Sequence, residues 1–252
     1  MNELAVRPEL RQHIAHIAVY RETLATAVVE HVVPDGAVRL MFDLGAGMGQ
    51  ALVAGPSAQP LALHLQGTMA GLTVTLRPGA AAELLLTPAG ELHDRCLPLR
   101  EFKGFDIDEL SERLFVARDD AERAMLVQTT LRSRLAGDHA SERDRTLRAL
   151  AVLSSSRRTL GEASESVGVG ERRLQQIFEQ NVGLSPRLYR RLIRVHECLR
   201  ALRKNRQPRW PQLALEHGFS DQAHLSREFR AFTGVPPTEF LARVSGSFKT
   251  TG

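Results

Sequence analysis

The sequence predicts an α+β protein: an N-terminal β-rich domain (a sandwich or cupin-like barrel), a helical connector, and a C-terminal all-α domain of two helix-turn-helix units joined by a long helix. Three observations carry this. Residues 1–105 are short runs of Val, Leu and Thr separated by Gly and Pro. Residues 106–140 hold a helical pattern, and residues 141–246 contain one pattern twice, 51 residues apart. A repeat at fixed spacing marks a duplicated supersecondary unit.

In the first part, the expected strands are Ala15 to Tyr20, Val28 to Val33, Val38 to Leu44, Ala62 to Gln66 and Leu72 to Leu76. Turns fall at Pro34-Asp35-Gly36 and Pro78-Gly79, where Pro fixes one dihedral and Gly frees the next. A short helix is expected from Ala80 to Leu86. Tyr20, Phe42 and His64 could line a pocket, with barrel core the simpler account of the two aromatics. His64 and His93 lack the H-x-H grouping and nearby Glu of a cupin metal site, so no metal or other cofactor is expected.

The connector places Leu110, Leu114, Ala117, Ala121, Ala124, Leu131 and Leu135 on one stripe, interrupted by Gln128, with a break at Asp119-Asp120. Two readings fit such a stripe: packing within the chain, or a homodimer interface.

The net charge of +4 is unevenly placed. Residues 141–252 hold 20 basic and 11 acidic residues, whereas residues 1–140 are net acidic, and nearly all the excess is Arg. Arginine suits bidentate contacts to phosphate and guanine, so this part predicts a polyanionic partner.

The repeat pairs Leu174 with Leu225, Phe178 with Phe229, Gly183 with Gly234, Pro186 with Pro237 and Tyr189 with Phe240. Gly168 and Gly218 are 50 apart, which gives the second copy one extra residue in its turn. Each copy reads as two helices around a left-handed glycine. Thr159 caps the first helix of copy one, Gly170 precedes the second, and Ser220 is the expected cap in copy two. Four residues before each turn glycine, Ser164 or Ala214 allows the helices to cross closely.

At about 100° per residue, Leu174, Ile177 and Phe178 share one face while Arg172, Gln176 and Glu179 lie opposite. In the second copy Leu225, Phe229 and Phe232 oppose Ala223, Arg227 and Arg230. Arg can pair with guanine and Gln with adenine through two hydrogen bonds. Between the copies, Ser185-Pro186 starts a helix running to about Lys204, with Leu188, Leu192, Val195, Leu199 and Leu202 on one stripe. Its arginines read either as solvated surface or as phosphate contacts. Locally, the glycine start leaves the first reading helix looser than the second.

These residues, above all H-G-F-S-D-Q-A-H-L-S-R-E-F-R-A-F-T-G-V-P-P-T-E-F at 217–240, resemble the DNA-binding domain of AraC/XylS transcriptional regulators. The resemblance implies double-stranded DNA as partner, with base readout by Arg172, Gln175 and Gln176 in one unit and Gln222, His224 and Arg227 in the other. Arg173, Arg190, Arg194, Ser220 and Arg230 are the accompanying phosphate candidates. Gly170 departs from the Ser often found there. The V-P-D-G, L-M-F-D-L-G and L-R-P-G-A-A-A-E-L-L segments are similar to N-terminal parts of some such regulators, which implies a small-molecule effector. A second copy and RNA polymerase are further candidate partners.

Three alternatives differ in what the N-terminal part does: sense an effector, serve only structure or dimerisation, or catalyse. An alkyl-repair site needs clustered cysteines, whereas Cys96 and Cys198 are isolated and read as buried thiols. G-A-G-M-G at 45–49 precedes no convincing helix, and no other catalytic motif stands out, so no enzyme activity is expected. With no apolar span or signal-like start, the expected location is the cytoplasm, in association with the nucleoid, with no membrane partner.

Overall fold

The computed structural model describes residues 2–45, 50–135, 140–154, 158–205 and 207–245. The glycine-rich motif at 45–49 lies almost wholly outside them, as does the His64 side chain.

Six strands form one antiparallel sheet: β1 (Asn2–Leu4), β2 (Ile14–Val32), β3 (Arg39–Asp43), β4 (Ala51–Ala54), β5 (Leu61–Leu76) and β6 (Cys96–Pro98), in the order β1-β2-β5-β3-β4-β6. Alternation sets the buried face. Val19, Leu72, Phe42 and Ala51 are cross-strand neighbours in one row, and Ile17, Val74, Leu40 and Val53 in the next. All eight are buried.

The strands expected at 15–20 and 28–33 are one strand, as are those at 62–66 and 72–76. The intervening residues are absorbed by a register shift between Leu24 and Val28 opposite Leu65–Gly67, a bulge where the sequence reads as a break. Strands β1, β4 and β6 are too short to show a period.

Helix α1 (Ala80–Leu84) follows β5, and α2 (Ile107–Val116) and α3 (Asp120–Arg132) follow the sheet. The break falls at Asp119, whose carboxylate accepts from Glu122 N at 2.8 Å and caps α3. Leu110, Leu114, Ala124 and Leu131 join the core of the sheet, so these positions are covered by the chain's own N-terminal domain, whereas Ala121 is exposed. Gln128 belongs to the same contact: it is buried, accepts from Arg7 N at 2.7 Å and donates to Ala5 O at 3.2 Å.

Seven helices make the C-terminal part: α4 (Ala140–Leu153), α5 (Leu160–Ser166), α6 (Glu171–Asn181), α7 (Pro186–Lys204), α8 (Trp210–Glu216), α9 (Gln222–Thr233) and α10 (Pro237–Ser245). They share a second core containing Leu174, Phe178, Val195, Leu213, Leu225 and Phe229. Cys198 sits there, its thiol pushed up to about 12 by burial. Cys96 corrects the sequence expectation: it is exposed, on the short edge strand β6.

The N-terminal domain grips the first unit through main chain and buried charge. Gly79 N donates to Asn181 O at 2.8 Å, and His196 Nε2 donates to Pro34 O at 2.7 Å. A β-carbon on Gly90 would lie 2.3 Å from Glu179 O, and one on Gly183 2.7 Å from Ala89 O, so only glycine permits these approaches. Beside them Arg143 of α4 pairs with Glu83 of α1, each side chain 8% exposed. His13 Nε2 lies 2.8 Å from both Glu83 Oε2 and Arg143 Nη1.

Breaking a buried pair leaves an uncompensated charge, whereas replacing both partners with apolar residues removes the desolvation cost. Glu83→Ala should therefore cost about 3–5 kcal/mol. Glu83→Leu with Arg143→Met should recover most of it, as measured by urea unfolding.

Candidate nucleic-acid interface

Each unit is built from the same local physics. In the first, Thr159 and Glu162 form a capping box: Thr159 Oγ accepts from Glu162 N at 3.1 Å, and Glu162 Oε2 accepts from Thr159 N at 2.6 Å. The turn closes with Val169 N donating to Ser164 O at 3.1 Å around Gly168 at φ +66°. In the second, Phe219 N donates to Ala214 O at 2.9 Å around Gly218 at φ +75°. Ser164 and Ala214 are buried, as close crossing requires.

The paired aromatics keep equivalent geometry. Phe178 meets Tyr189 edge-on at 5.9 Å and 67°, and Phe229 meets Phe240 at 5.5 Å and 75°. Gly183 and Gly234 end the two second helices at φ +75° and +78°.

The wheel separates correctly on both second helices. Leu174, Ile177 and Phe178 of α6 are fully buried, while Arg172, Arg173, Gln175 and Gln176 are exposed. On α9 Leu225, Phe229 and Phe232 are buried, while Gln222, Arg227 and Arg230 are exposed. His224 departs from this group. It is half-buried, turned toward α7, with its ring edge-on to Phe219 at 5.4 Å.

The cap of α9 is Asp221, one residue beyond the expected Ser220. Asp221 Oδ1 accepts from His224 N at 2.7 Å, while Ser220 Oγ lies 3.0 Å from Asp221 Oδ2. A carboxylate suits the positive end of a helix better than a hydroxyl, and the extra turn residue brings it into place. The His224 N–H, then Ser220, hold the Asp221 carboxyl below its ordinary value. On α6 the cap position is Gly170, with no side-chain acceptor, as the sequence implies.

Helix α7 spans Pro186–Lys204 under a Ser185 cap, as expected. Two of its arginines hold the second unit. Arg191 forms a two-pronged pair with Glu228 of α9, Nε to Oε2 at 2.8 Å and Nη2 to Oε1 at 2.9 Å, and lies 5.5 Å over the Phe232 ring. Arg194, an expected phosphate contact, donates through Nη1 to Gly218 O at 2.9 Å and stacks 5.2 Å from the Phe219 ring. The sequence reading missed Arg191 and Glu228, since residues 37 apart on different helices leave no local pattern.

A family model described as a helix-turn-helix domain matches residues 163–243, which takes in both turns, both second helices and all of α7 between them. This C-terminal part is a helix-turn-helix domain of the AraC type. The chain is a DNA-binding transcriptional regulator. Residues 2–98 match a domain of unknown function, DUF6597. No curated protein matches the chain.

Solved structures similar to it include ToxT from Vibrio cholerae in a P21 form, at 13% identity and TM-score 0.45, covering 90% of this chain and 97% of that one. ToxT from Vibrio cholerae O395 is 14% identical with TM-score 0.45, covering 92% and 98%. Wild-type ToxT from Vibrio cholerae strain SCE256, with an unsaturated fatty acid bound, is 11% identical with TM-score 0.45, covering 93% and 97%. Among the described residues of this regulator, no helix is long and apolar enough to cross a membrane.

Gly170 at φ −72° has open space around its α-carbon, so a side chain fits without strain. Gly170→Ser should supply the missing cap and raise stability by a few tenths of a kcal/mol. Hydrogen exchange should show the added protection at the start of α6 and none in α9.

Proposed function

We propose that this regulator reads two successive major grooves, with α6 in one and α9 in the next. The observation that carries the reading is that both second helices bury their apolar face completely and leave Arg and Gln exposed on the other. Arg172, Gln175 and Gln176 form one reading surface, and Gln222 and Arg227 the other. Helix α7 is 19 residues, or roughly 28 Å at 1.5 Å per residue. That is of the order of the roughly 34 Å between successive groove entries on one face of DNA. Arg173 and Arg230 flank these surfaces as phosphate contacts, and the Arg-rich surface supplies sequence-independent attraction.

The N-terminal domain, in this reading, takes a small molecule. Between the sheet and α2 lies a cavity of about 230 Å³ bordered by Phe42, Leu44, Gln50, Ser111 and Phe115. It is smaller than the roughly 300–1,000 Å³ of drug-sized pockets, which fits a compact metabolite. Its occupant would act on DNA through the contacts of α1 and the Pro34 and Ala89 segments with α4, α6 and α7.

Selection of bound sequences from random DNA tests the groove reading. Arg172→Ala and Arg227→Ala should each relax preference at a separate base pair, at a cost of about 1–3 kcal/mol there. The two affected positions should lie about 10 base pairs apart. Unchanged preference in both variants would refute it. Thermal-shift screening of the full chain against metabolites tests the sensor role: a stabilising compound that also changes operator affinity is expected, and one that leaves affinity untouched counts against it.

A further inference from the structure

Four arginines of α7, Arg187, Arg190, Arg191 and Arg194, recur at the i, i+3, i+4, i+7 spacing and so line one side of that helix. Together with His224 and Glu228 of α9 they border a cleft of about 600 Å³. Its floor includes Leu160 and Pro186. Glu228 is committed to Arg191, and among the described residues it is the one carboxylate on the cleft wall, so the cleft is strongly cationic. It is walled by the start of α5 in the first unit, by α7, and by α9 in the second, so it spans the two units.

The imidazole of His224 is oriented before any ligand arrives. Ser220 N, which can only donate, lies 3.3 Å from Nδ1, so Nδ1 is the acceptor and the proton sits on Nε2. The Ser220 hydroxyl, 3.1 Å from Nδ1 and 3.0 Å from Asp221 Oδ2, can give its proton to either, so it is the Ser220 N–H that selects the tautomer. The edge-on contact with Phe219 fixes the ring plane. Among the described residues, Nε2 has no hydrogen-bond partner.

We propose that this cleft seats the DNA phosphodiester strand between the two grooves, and that His224 donates from Nε2 to a phosphate oxygen there instead of reading a base. The inference rests on the reading that α6 and α9 enter successive grooves. A phosphate oxygen only accepts, which matches the donor that the tautomer presents. A single donor would discriminate poorly among bases, because guanine, adenine and thymine all show acceptors in the major groove. Arg187, an exposed residue of the cleft lining, adds charge, whereas Arg191 and Arg194 are held by Glu228 and Gly218 O.

The test uses the full chain and a DNA site selected from random sequence. His224→Ala should weaken binding about tenfold, the loss of one hydrogen bond to a charged acceptor, and by the same factor on unrelated DNA. Sequence preference should not change. His224→Gln, which returns an N–H near the same point, should recover most of the affinity. Arg187→Ala should lower the slope of log affinity against log salt by about one, and His224→Ala should leave that slope alone.

A series of sites with single methylphosphonates across the central strand needs no protein variant. One position should cost the wild type about tenfold and cost His224→Ala nothing further. A shift in base preference in His224→Ala, or no position in the series that weakens wild-type binding, would overturn the proposal. Binding of inorganic phosphate or pyrophosphate in the absence of DNA, lost in His224→Ala, would assign the cleft to a small anion and also overturn it. If Arg172→Ala and Arg227→Ala leave preference unchanged while the methylphosphonate effect persists, it is the groove reading that fails and the phosphate contact that stands.

Discussion

The C-terminal part depends on one buried stripe. Leu192, Val195, Cys198, Leu199 and Leu202 bury one side of α7 in the core that both helix-turn-helix units share. Because that stripe is continuous, the units cannot turn independently without opening apolar surface to water, at about 25 cal/mol for each Å². The other side of α7 is then available for arginine. Arg191 and Arg194 use that freedom to fix the second unit by charge, hydrogen bonds and ring stacking, which are directional where apolar packing is not. Burial sets the position of the second unit, and arginine sets its angle.

The first unit is held differently. It has no side-chain cap on its reading helix, but the end of α6 is enclosed by the N-terminal domain through Gly79, Gly90 and the Arg143–Glu83 pair of α4 and α1. Local sequence would make α6 the looser helix, and tertiary contact opposes that. The two reading helices thus answer to different parts of the chain: α9 to α7, and α6 to both α7 and the sheet domain.

Much of this was legible in the sequence. Amphipathic helices with caps and turn glycines announce themselves through short-range rules, so α7 has its expected bounds and α5, α6 and α9 start within a residue or two of where their caps were expected. The single slip, Ser220 for Asp221, came where two adjacent residues can both cap and only the turn geometry decides. The sheet was less legible because a bulge in β2 looks like a loop in one dimension, and because the three- and four-residue strands β1, β4 and β6 carry too few positions for a period. The connector stripe was read correctly as apolar, but periodicity does not say what covers a face. For the interface, exposure of Arg172, Gln175, Gln176, Gln222 and Arg227 followed from the helical wheel. The withdrawal of His224 and the commitment of Arg191 and Arg194 did not, since each depends on a residue brought near only by folding.

The glycine approaches between the domains also fix how motion can pass. A junction of side chains can absorb a small displacement by changing rotamers, whereas main chain against main chain has none to change. At Gly90 against Glu179 and at Gly183 against Ala89, backbone meets backbone with no room for a side chain. Any side chain added at either glycine would act as a wedge, resetting the angle between the domains without touching a ligand or a base.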